Sequence, residues 1–77
     1  MSQGLTNTKG RQFALRLDSV GGGVTYIGEA SPSSAEGDAV WRIKRMDETG
    51  PDLDIVWADG NASFDNVWTD RAGLSYS

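Results

Sequence analysis

The stretch that most restricts the fold runs from Ala39 to Ala58, because its apolar side chains recur at every second residue. Ala39, Trp41 and Ile43 alternate with Val40, Arg42, Lys44 and Met46, and Leu53, Ile55 and Trp57 alternate with Asp52, Asp54 and Val56. A repeat of two belongs to a half-buried strand, whereas an amphipathic helix needs apolar residues three and four apart. The segment therefore predicts two antiparallel strands, Ala39–Met46 and Asp52–Ala58, joined across Asp47-Glu48-Thr49-Gly50-Pro51. With Trp41 and Trp57 on its apolar faces, this hairpin has the largest area to bury, and the other elements are expected to cover it.

Upstream, Gln12 to Asp18 sets Phe13, Leu15 and Leu17 against Gln12, Ala14, Arg16 and Asp18, a strand with one apolar and one mostly polar face. Gly21, Gly22 and Gly23 follow and predict a hairpin turn, since consecutive glycines are costly unless the backbone enters regions closed to other residues. A phosphate-cradling loop would need a helix and a lysine next, but Val24-Thr25-Tyr26-Ile27 is strand-like. The second strand is Val24 to Ala30, in which Gly28 marks a bulge or a close approach. Ser31 to Asp38 is rich in turn formers and reads as a surface connection.

After the central hairpin the spacing changes. Phe64, Val67 and Trp68 fall at i, i+3 and i+4, with Ser63 as N-cap, Asp65 in the first turn, Arg71 in the last and Gly73 as a stop. Ser63 to Arg71 thus predicts a short amphipathic helix lying on the sheet, and Leu74 to Ser77 a brief edge strand. The expected fold is mainly β (α+β): a small antiparallel sheet of four to five strands with one short C-terminal helix packed on it. Residues 1–10, polar and glycine-containing, are expected to form an N-terminal arm, and residues 11–77 a single small β-rich domain.

At 77 residues, a single core only just offsets the entropy of ordering the chain, so assembly is expected to add stability. The sequence has neither cysteine nor histidine, which removes thiolate nucleophiles, the commonest base and the commonest neutral metal ligand together. Asp52, Asp54, Asp59 and Asp65 with Asn61 raise the question of calcium, but four residues rather than one separate Asp54 from Asp59-Gly60, which breaks the EF-hand spacing. Asp59-Gly60-Asn61 is read instead as a tight turn. No catalytic, cofactor-binding or metal-ligating residue is nominated, no cofactor is expected, and the expectation is that the chain is not an enzyme.

A formal net charge of −4 repels nucleic acid at long range. The basic residues cluster only in Arg42, Lys44 and Arg45, read as a solvated strip paired with Asp52 and Asp54 across the hairpin. No apolar run reaches the length of a membrane span, and no signal peptide is visible, so membrane insertion and secretion are not expected.

Trp57-Ala58-Asp59-Gly60, then Phe64-Asp65-Asn66-Val67-Trp68-Thr69-Asp70-Arg71, then Leu74-Ser75-Tyr76-Ser77 form a distinctive C-terminal run. Together with Tyr26-Ile27-Gly28-Glu29-Ala30 and Val40-Trp41-Arg42-Ile43-Lys44-Arg45, it resembles short, mostly uncharacterised proteins of tailed bacteriophages. The resemblance spans roughly residues 24–77 and brings no catalytic motif. It implies a structural or accessory protein of the virion, made in the host cytoplasm, present in several copies and binding other virion proteins and itself. Tail association is the leading expectation and capsid decoration (cement) the alternative. A second alternative is a carbohydrate-binding module, in which exposed rings of Trp41, Trp57 or Trp68 would stack on host-surface polysaccharide.

Overall fold

The computed structural model describes residues 13–77. The expected arm at residues 1–10 and the start of the first strand at Gln12 lie outside the described residues. Four strands form an antiparallel meander: β1 (Ala14–Gly21), β2 (Val24–Ala30), β3 (Ala39–Asp47) and β4 (Asp54–Trp57). A two-residue strand, β5 (Asn66–Val67), pairs with the early part of β3, and a 3-10 helix (Trp68–Gly73) follows it. The mainly β fold with one small C-terminal helix is the expected one.

Gly22 and Gly23 close the β1–β2 hairpin with φ of 65° and 85°, the double positive φ of a turn whose twist suits flanking strands. The register shifts between Ser19 and Gly21, where Val20 is the extra residue. The second tight turn, at Asp59 and Gly60, also has both φ positive, at 60° and 72°.

Pairing places Arg16, Gly28 and Ile43 on one face of the sheet, and Leu17, Ile27, Lys44 and Trp57 on the other. The core occupies the first face. Trp41, Ile43, Ala30 and Ala58 are fully buried there, and Trp68 closes over them, its ring tilted against Trp41 at 6.0 Å between centroids. Gly28 makes this possible: a Cβ on it would come within 2.5 Å of Trp68 Cε3 and 3.3 Å of Trp41 Cε3. The glycine is therefore a close approach of ring to backbone, not a bulge.

Polar side chains of β1 hold the cover in place. Arg16 bonds to Glu36 at 2.7 Å and lies over the Trp41 ring, fastening the Ser31–Asp38 connection. Asp18 accepts a bond from Arg71 at 2.9 Å, fastening the 3-10 helix. Trp41 Nε1 donates to the Ala35 carbonyl at 2.9 Å, so the buried indole also has its polar atom satisfied. Each exposed ion pair is worth at most about 1 kcal/mol, so they orient the cover while the indoles supply the burial.

The central hairpin differs from expectation in register. Trp41 and Trp57 lie on opposite faces, because β4 begins at Asp54 and the connection sets Trp57 opposite Lys44. A one-residue change in pairing moves every side chain of a strand to the other face, and alternation alone does not fix that choice. The expected pairing of Arg42 and Lys44 with Asp52 and Asp54 is also not found. Asp54 stands opposite Asp47, while Arg42 binds Glu29 of β2 at 2.6 Å.

The helix expected at Ser63 to Arg71 is replaced by β5 and the later 3-10 turn. Asp65, Asn66, Val67 and Thr69 are weak helix formers, and β4 leaves the backbone of β3 unpaired beside Ala39 and Trp41. Asn66 and Val67 fill that gap. As a result Phe64 reaches Phe13 on one face and Trp68 reaches Trp41 on the other, rather than sharing a helical stripe. The C-terminal edge strand is reduced to one bridge, between Ala58 and Tyr76.

Tyr76 donates its hydroxyl to the Arg71 carbonyl at 2.7 Å, and burial pushes its pKa up to about 12. A raised tyrosine pKa means the folded state holds the proton more firmly than the unfolded one, so this contribution is intact below pH 10 and lost between pH 10 and about 12. Thermal melts from pH 9 to pH 11 are expected to show stability falling with pH, and Tyr76→Phe is expected to flatten that fall. An equally steep fall in the variant would contradict the assignment.

Candidate interaction face

The second face of the sheet is rich in apolar side chains and, apart from the Phe13–Phe64 pair at one end, has nothing laid across it among the described residues. Leu15 and Leu17 of β1 point to it, as do Ile27 of β2, Met46 of β3, and Ile55 and Trp57 of β4. Leu17 is 66% exposed, Leu15 52% and Ile55 51%, values that belong to surface lysines more than to strand leucines. The cause is in β1: its polar side chains are committed to the ion pairs that hold the cover on the tryptophan face, so its leucines must point away from that core.

One end of this face is partly roofed. Phe13 and Phe64 stack at 6.1 Å with a 16° angle between rings. Beneath them Arg42 is held by Glu29, its guanidinium 4.7 Å from the Phe64 ring, 5.6 Å from Phe13 and 5.8 Å from Trp57. Arginine stacked on aromatic rings and paired with a carboxylate is a rigid arrangement, since the planar group is fixed both by its bonds and by its faces. Lys44 lies over Trp57 at 5.2 Å and has no acidic partner among the described residues. Among the described residues nothing covers the rest of the face, toward Met46 and Ile55.

The other sequence candidates are placed as follows. Arg45 of the basic cluster is separated from Arg42 and Lys44, on the core side, where its guanidinium stacks on Tyr76 at 4.9 Å. Among the described residues no group of three or more acidic side chains converges, and Asn61 is spent on the turn, accepting from the Ser63 amide at 2.9 Å. Asp47 has a lowered pKa because the hydroxyl and then the backbone amide of Thr49 bond its carboxylate, which caps a loop. A shallow depression of about 410 Å³ beside the 3-10 helix is lined by Thr69, Asp70, Ala72, Gly73 and Leu74, with Asp70 as its one titratable group. No described helix is long and apolar enough to cross a membrane.

Of the three tryptophans weighed as sugar platforms, Trp41 and Trp68 are filled into the core. Trp57 is half-buried, and the cations of Arg42 and Lys44 lie over its ring. The face itself was missed as a unit by sequence reasoning. Its signal was present: once the glycine turn fixes the β1–β2 register, Leu15 and Leu17 fall on the face opposite Gly28 and Ile43. Compared with protein-family models, curated proteins and solved structures, the chain matches none.

Proposed function

We propose that this chain is a non-enzymatic structural protein of a tailed-phage particle, associated with the tail, that acts by assembly with other virion proteins and with copies of itself. The leucine-bearing face, uncovered among the described residues, is the observation that carries the assembly part of this reading. Sheet faces are usually covered or polar, and leucines and an isoleucine exposed together on one face are characteristic of contact surfaces. A short chain with one thin core also gains stability by burying such a face against a neighbour. The resemblance of residues 24–77 to short phage proteins supplies the setting.

Mass spectrometry of purified particles with copy number is the test. The chain is expected in the particle at a few copies, as a tail part would be. Hundreds of copies would indicate capsid decoration, and absence from the particle would overturn the virion reading.

A further inference from the structure

We draw no further inference here: the strongest candidate, the leucine-bearing face of the sheet together with the outer edge of β1 beside it, carries none because nothing in the structure shows what covers it.

Discussion

Trp41→Ala is expected to lower stability by roughly 3–5 kcal/mol, the cost of emptying an aromatic site in a core. The indole is fully buried, touches Trp68, carries Arg16 on its ring and donates to the Ala35 carbonyl, so nothing nearby is free to fill the space. A chain of 77 residues has a total stability of roughly 4–12 kcal/mol at the usual value per residue, so the variant should be at or near the unfolding threshold at room temperature. Denaturant unfolding checks this. Trp41→Phe, which keeps a ring but loses the hydrogen bond, should retain more of the stability. A Trp41→Ala midpoint equal to that of the parent would mean that the core lies elsewhere.

Gly28→Ala is expected to cost about 1–3 kcal/mol, an unusually large penalty for one methyl group on a strand. The substitution would add no backbone strain, because Gly28 is not among the residues at positive φ. The added Cβ, however, would sit 2.5 and 2.7 Å from two atoms of the Trp68 ring, and a rigid ring pinned by Trp41 beneath it and by Arg71 over its face has little room to retreat. The cost should therefore depend on that ring. In a Trp68→Leu background the same methyl should cost much less, and a double-mutant cycle by chemical denaturation measures the difference. A neutral or stabilising Gly28→Ala would show that Trp68 does not lie on the sheet as described.

Much of the sheet was legible in the residues. β2 has the expected bounds, Val24 to Ala30, and β3 differs from expectation by one residue at its end, because alternation of apolar side chains reports strand conformation directly. The glycine run gave the hairpin turn for the same local reason. What alternation does not report is which face is covered. Leu15 and Leu17 have the pattern of buried strand residues, but Arg16 and Asp18 between them are the side chains that reach Glu36 and Arg71, and these long-range pairs decide the orientation of β1. The spacing of Phe64, Val67 and Trp68 suggested a helix although those residues serve two different faces, since the open edge of β3 outweighed the local period. The candidate face shared this fate: each of its strands was expected, and the common side they leave open among the described residues followed only from the register.

The central claim is that one side of the sheet holds the core and that the other, among the described residues, leaves its leucines exposed. Methyl NMR with a soluble gadolinium chelate, on the chain in dilute solution, tests it most directly. The Ile43 methyls are expected to stay protected, while those of Leu15, Leu17 and Ile55 relax strongly in dilute solution. Leucine methyls already shielded in the dilute monomer, or Ile43 methyls open to the chelate, would contradict it.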